Sequence, residues 1–298
     1  GRCRTPMLPQ LLRITVPLSL SSYARSALST AQHLLVPRGL RLFGGGAQAA
    51  LAAYGVIQGM SLPILLFPAA LIAVIADLIV PELTEAQVQG RLRGLGYMLE
   101  RLYRLGLFFS MAVAGACFFF AHPLGELIYS EPAAGQYIRL LAPLVPIMYM
   151  DTLVDGMLKG VGEYRANMRY NIIDAATGLL LVWLLLPRYG VAGYLFSISA
   201  TELLNFALSA ARLTRVTVFR LQPLCWLLTA AAAVGGWWLL RLIFGRLLSR
   251  TGQPLILLLL VFLYLACYGA ALLLCGALRR EELSWLFSLL RGEKTPKT

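Results

Sequence analysis

Residues 170–211 read YNIIDAATGLLLVWLLLPRYGVAGYLFSISATELLNFALSAA. The stretch divides into two apolar runs, 170–186 and 191–211, on either side of Pro187-Arg188-Tyr189-Gly190. A hydrocarbon core about 30 Å thick is crossed by about 17–25 helical residues, so each run is long enough to span a bilayer. Inside lipid a single segment satisfies its own backbone groups only as a helix. Six further apolar runs of similar length lie at 14–33, 54–80, 102–121, 137–158, 224–244 and 255–277. The expected fold is therefore an all-α integral membrane protein with about eight transmembrane helices. Pro63 and Pro68 in the second run, and Pro143 and Pro146 in the fourth, predict kinks there, because proline frees a carbonyl of the preceding turn.

Composition agrees. Of 298 residues, 59% are apolar and 13% charged, with a mean hydropathy of +0.73; soluble domains carry about 25% charged residues. The net charge is +12, from 26 Lys+Arg against 14 Asp+Glu. A basic excess suits either nucleic acid or the inner face of a membrane, and the long apolar runs decide against nucleic acid. The five cysteines form no C-x-x-C pair or Cys/His cluster, and Cys117, Cys225, Cys267 and Cys275 lie within apolar runs, so all five read as structural. The chain begins Gly1-Arg2-Cys3, with no initiator Met and no signal-peptide core before the first run. The expectation is a fragment of a larger protein.

An even number of spans puts both ends on one side. With eight, the segments on that side hold 18 of the 26 basic residues, including Arg13, Arg91, Arg93, Arg165, Arg169 and Arg212. The opposite segments hold 7, and Arg25 falls inside the first run. The positive-inside rule then makes both termini cytoplasmic. Residues 82–101, with Glu82, Glu85, Arg91 and Arg93 among apolar neighbours, read as an amphipathic helix on the cytoplasmic surface, and 281–290 as a second interfacial helix. The domain expectation is a six-helix lobe over 1–220, followed by two additional spans and a cytoplasmic tail over 221–298.

Polar residues within spans are costly, so they mark where function is sought. Arg25 lies roughly 18 Å beyond Arg13 along a helix, near the midplane, with Ser22, Tyr23, Ser26 and Ser29 close by. It suits a phosphate or pyrophosphate held by charge-assisted hydrogen bonds, or an ion pair with a carboxylate on another span. Asp151, Asp155 and Lys159 share a face at spacings of four; Asp155–Lys159 reads as an ordinary ion pair and Asp151 as a partner for Arg25. Asn171 and Asp174, three apart, can offer oxygen ligands to Na⁺ or a site for a proton. Glu202, Thr201 and Asn205 fall within one turn of the sixth span. Plain interhelical hydrogen bonding is the alternative for each of these residues. His33 and His122 sit near outer ends of spans without a second ligand at metal spacing, and Gly44-Gly45-Gly46 precedes no phosphate-loop Lys-Ser/Thr. No catalytic residue, metal site or bound cofactor is expected.

Several motifs carry a family resemblance. They are Val16-Pro17-Leu18-Ser19-Leu20-Ser21-Ser22-Tyr23, Leu35-Val36-Pro37-Arg38-Gly39-Leu40, Phe67-Pro68-Ala69-Ala70-Leu71 and Val80-Pro81-Glu82-Leu83. With them stand Asp151-Thr152-Leu153-Val154-Asp155-Gly156, Met168-Arg169-Tyr170-Asn171-Ile172-Ile173-Asp174 and Glu202-Leu203-Leu204-Asn205. In this order the set resembles stage V sporulation protein B-like flippases, in the polysaccharide-export branch of the superfamily that also holds the MATE antiporters and the lipid II flippase. The resemblance covers about residues 11–220. It implies two six-helix lobes around a central cavity, often with two extra helices. This chain would then supply helices 7–14, and the N-terminal lobe would be missing.

By the same resemblance the substrate would be a polyprenyl-pyrophosphate-linked sugar or a lipid II-like peptidoglycan precursor in a bacterial-type inner membrane. Headgroup contacts would fall to Arg25, Tyr23, Ser22, Gln32, Asp151, Asp155, Glu202 and Asn205. Asn171 and Asp174 would be the candidates for Na⁺ or H⁺ coupling. Three alternatives compete. They are a MATE-type drug antiporter, disfavoured by Arg25; a membrane-embedded enzyme, for which no catalytic cluster stands out; and a non-transporting scaffold.

Overall fold

The computed structural model describes residues 7–43, 46–219, 222–248 and 253–276. Among them every regular element is helical. The chain runs through α1 (Met7–Leu42), α2 (Ala47–Val56), a π-turn (Ile57–Ser61), α3 (Leu62–Leu66), α4 (Ala69–Val88), α5 (Leu92–Phe119), α6 (Ala121–Tyr129) and α7 (Pro132–Leu141). A 3₁₀ turn (Ala142–Leu144), α8 (Val145–Gly160), α9 (Tyr164–Val216), α10 (Pro223–Leu248) and α11 (Pro254–Leu274) follow.

Six stretches among the described residues are long and apolar enough to cross a membrane: Ala47–Leu66, Leu92–Phe119, Pro132–Gly160, Tyr164–Val216, Pro223–Gly245 and Pro254–Leu274. The 53-residue α9 would measure about 80 Å if straight, yet it bends at Gly190, whose φ is 55° and ψ −129°. The bend is a reversal. Asn171 and Ser209 both donate to the Asp155 carboxylate, whereas along a straight helix they would stand about 57 Å apart. Pro187 and the left-handed Gly190 supply the turn, so α9 is two antiparallel legs, as the two apolar runs predict. Helix α1 is not among the six, because Arg13, Arg25, Arg38 and Arg41 and its serines dilute its hydropathy.

Three of the four predicted proline kinks coincide with interruptions that have local causes, while Pro146 lies in the first turn of α8, where a helix tolerates proline. Pro63 follows the π-turn, Pro68 sits just before α4, and Pro143 lies in the 3₁₀ turn ahead of α8. After the break at Phe67–Pro68, α4 runs through Pro81 to Val88. A turn at Gln89–Gly90, with Gly90 at φ 68°, then leads directly into α5. Residues 82–101 are thus the facing ends of two long helices and not the separate surface helix expected from their amphipathic pattern. The second expected interfacial helix, 281–290, lies outside the described residues.

The chain packs as two compact units. The first takes 1–59, 67–103 and 147–220; the second takes 60–66, 104–146 and 221–298. In the first unit α8 and α4 meet at small residues. A Cβ added to Gly156 would come 2.7 Å from the Ala76 Cβ, and one on Gly160 would come 2.7 Å from the Leu83 Cβ. The Thr84 hydroxyl donates to the Gly160 carbonyl at 3.0 Å. Close approach through small residues is how helices associate when lipid gives no hydrophobic driving force. In the second unit α10 and α11 pack together and against α5, through Phe119 on Trp237 (ring centroids 4.5 Å apart) and Tyr268 on Phe108. These last two spans are therefore joined to the 104–146 segment.

Candidate functional site

The polar residues of the spans gather in the first unit, where α8 faces the two legs of α9. Asp155 is the most fully engaged. Its Oδ1 accepts from the Ser209 hydroxyl at 3.1 Å and its Oδ2 from Asn171 Nδ2 at 3.0 Å. One carboxylate thereby ties α8 to both legs. The Asn171 amide also donates to the backbone carbonyl and Oδ1 of Asn167, at 3.0 and 3.1 Å. Asp151, one turn earlier on α8, accepts from Asn205 Nδ2 on the second leg at 2.8 Å through Oδ2. Its Oδ1 is buried and has no partner, as are Asn205 Oδ1 and Asn167 Nδ2.

Helix α1 packs along α9. Gly178 on the first leg leaves the space for this. A Cβ there would come 3.1 Å from Gln32 Oε1 on α1 and 3.4 Å from Thr201 Cγ2 on the second leg, so three helices converge at one missing side chain. Arg25, seven residues before Gln32, is exposed and acts electrostatically on Asp174 and Glu202. Asp174 and Glu202 in turn lie within Coulombic reach of Asp155 and Asp151. The assembly is four carboxylates and one guanidinium, drawn from α1, α8 and the two legs of α9.

Two expected pairings are replaced by others. Among the described residues Lys159 makes no ion pair with Asp155, whose two oxygens are taken by Asn171 and Ser209. Arg25 makes no ion pair with Asp151; Asp151 turns toward Asn205, while α1 lies against α9 and brings Arg25 near Asp174 and Glu202. Asn171 uses its amide nitrogen within the network, binding Asp155 instead of standing free beside Asp174. Tyr23 is 74% exposed and Ser22 is exposed, both on α1. His33 and His122 are exposed as well, and no group of three His, Cys, Asp or Glu suited to a metal occurs among the described residues.

Ser209 escaped the sequence reading, although its spacing of four from Asn205 puts both on one face. Also unforeseen is the latch at the ends of α9. Arg212 Nε and Nη2 grip the Glu163 carboxylate at 2.9–3.1 Å, so the base of one leg is fastened to the base of the other. Nearer the reversal, the Tyr194 hydroxyl donates to Gln58 Oε1 at 2.9 Å from the π-turn, and Tyr54 meets Tyr194 edge-on at 5.0 Å.

The helices and this cluster define a multi-pass α-helical membrane protein with a polar, carboxylate-rich interior in one unit. The family description MatE matches residues 40–184, which include Asp151, Asp155, Asn171 and Asp174. Stage V sporulation protein B of Bacillus subtilis (strain 168) is 25% identical over 209 residues, covering 70% of this chain and 40% of that protein. Sporulation protein YkvU of the same organism is 22% identical over 176 residues, covering 59% and 40%. The chain is similar to stage V sporulation protein B-like proteins of the MATE-like superfamily, as its ordered motifs imply. It spans about two fifths of the length of the curated relatives it matches.

Proposed function

We propose that this chain forms one lobe of a flippase that carries a lipid-linked oligosaccharide or peptidoglycan precursor across a bacterial inner membrane, in polysaccharide export and cell-envelope biogenesis. The reading rests on Arg25. This guanidinium sits inside the first apolar run, exposed, with no hydrogen bond or ion pair to any described residue, beside a network of carboxylates and amides. A guanidinium not committed to a protein carboxylate is free to hold a pyrophosphate by paired, charge-assisted hydrogen bonds. Ser22 and Tyr23, exposed on the same helix, supply hydroxyls for the headgroup, and Gln32 extends the polar face toward α9. The carboxylates repel a polyanion that strays beyond Arg25 and give Na⁺ or H⁺ a place to couple its own movement to that of the lipid.

The partners in this reading are the polyprenyl tail, which stays in the bilayer, and a second lobe that completes the cavity. Both termini lie on the cytoplasmic side. A MATE-type drug antiporter is the less favoured reading, since both relatives are named for sporulation.

The test is binding of a polyprenyl-pyrophosphate sugar to the protein in lipid nanodiscs, wild type against Arg25→Ala. Removing a charge-assisted contact should weaken saturable binding by about tenfold or more. Equal affinity in a folded Arg25→Ala protein sinks the headgroup assignment. Binding by neither protein would be followed by co-assembly with the proposed second lobe, and failure there ends the flippase reading.

A further inference from the structure

Two of the three orphaned atoms in the cluster belong to one hydrogen-bonded pair. Asn205 Nδ2 donates to Asp151 Oδ2 at 2.8 Å, while Asp151 Oδ1 and Asn205 Oδ1 are both buried and both without a partner. Asn205 is only 4% exposed. A carboxylate oxygen and an amide oxygen can only accept, so with Asp151 ionised neither can satisfy the other. A buried acceptor left unmet is destabilising, and a buried carboxylate more so. One proton resolves both. A carboxylic acid and a primary amide pair through two parallel hydrogen bonds: the amide N–H to the acid carbonyl, and the acid O–H to the amide carbonyl. The first bond is present, and the two orphaned oxygens are the atoms that the second would use.

The geometry points to Asp151 as a proton-binding site, whose acid form closes a cyclic pair with Asn205 and clasps α8 to the second leg of α9. The ligand is a single proton taken from water; no bond other than O–H is made or broken. The surroundings favour it. The charged groups that act on Asp151 are Asp155 on its own helix and Asp174 and Glu202 on α9, all negative. The nearby cation, Arg25 on α1, acts on Asp174 and Glu202. Asp155 contrasts with it one turn away: both its oxygens already accept hydrogen bonds, from Asn171 and Ser209. Loss of the proton from Asp151 would set two acceptor oxygens against each other and loosen the clasp, a change of the kind that couples proton movement to helix movement. That consequence rests on the transport reading above; the proton site itself does not.

The site is tested on the purified chain by infrared spectroscopy and by unfolding as a function of pH. The wild type should show the carbonyl stretch of a protonated carboxyl, absent in Asp151→Asn and shifted in frequency in Asn205→Leu, which removes the amide. Asparagine at 151 supplies N–H where the acid supplies O–H, so Asp151→Asn should fold and keep a closed pair at every pH. Deprotonation would remove the second hydrogen bond of the pair, so wild-type stability should fall as pH rises, more steeply than that of Asp151→Asn. An unchanged carboxyl band in Asp151→Asn, parallel pH profiles, or a difference between the two that follows Na⁺ concentration instead of pH would each overturn the assignment. None of these readouts involves the lipid substrate, so their failure is separate from a failure of headgroup binding.

Discussion

Two seams of this molecule are built from similar apolar helices and handle their polar atoms in opposite ways. In the second unit, where α5, α10 and α11 meet, the buried hydroxyls of Ser110, Thr229, Tyr264 and Tyr268 are satisfied by backbone carbonyls. The fully buried Tyr264 reaches the Ala233 carbonyl at 3.4 Å, and Tyr268 donates to the Phe108 carbonyl at 3.0 Å. Phe119, Phe120, Trp237 and Tyr264 pack on one another, with centroids 4.5–6.2 Å apart. Gly115 makes room for Tyr264 and Gly236 for the Tyr268 backbone. In the first unit, α8 and α9 meet through carboxylates and amides, and three polar atoms there remain without partners. The first arrangement is what packing alone requires. The second leaves unsatisfied groups that packing would have removed, and such departures from local consistency are where chemistry is expected.

The sharpest way to break this contrast is to damage each seam and see what fails. Tyr264→Ala should destabilise the protein by about 3 kcal/mol, through a cavity that the surrounding rings cannot fill. It should leave the pH dependence of unfolding as it is in the wild type. Unfolding titrations in mixed micelles at several pH values measure both. A smaller effect follows in the other seam. Asn171→Leu removes a donor from Asp155 and should cost about 1–2 kcal/mol in the same assay, since buried hydrogen bonds to charged groups exceed the modest average found for polar contacts in membranes. If Asn171→Leu were neutral, the network would be less tightly organised than its distances imply.

Tyr268→Phe keeps the ring and deletes one hydroxyl. The expected loss is about 0.5–1 kcal/mol, because the Phe108 carbonyl keeps its place in the helical ladder. Smallest of all, Lys159→Ala should change stability by less than about 0.5 kcal/mol. A loss near 2 kcal/mol would restore the Asp155–Lys159 pair that the helical spacing suggests, and would contradict the hydrogen bonds from Ser209 and Asn171.

That last case shows where sequence reading stops. Asp155 and Lys159 are four apart on α8, and local geometry alone makes them neighbours. Two donors from elsewhere reach the carboxylate first, because α9 doubles back at Gly190 and delivers Asn171 and Ser209 from legs 38 residues apart in sequence. The same reversal was legible as two apolar runs around Pro187–Gly190. Its consequence for Asp155 was not, since no spacing rule gives the rotation of one helix about its axis against another. Residues 82–101 teach the converse. Their amphipathic pattern suggests a surface helix, but α4 runs on to Val88 and α5 begins at Leu92, so they are the ends of two helices.

The sequence alone determined that the chain is helical and membrane-spanning, where its prolines interrupt it, and which side chains bring charge into an apolar setting. These follow from hydropathy and backbone chemistry, which act over a turn or a span. The tertiary structure decided which polar groups meet. Small residues at Gly156, Gly160 and Gly178 set how closely α4, α8, α1 and the legs of α9 approach. That approach fixes which amide faces which carboxylate. Hydrogen bonds need their partners within about 3 Å, and only the packed helices define positions to that tolerance.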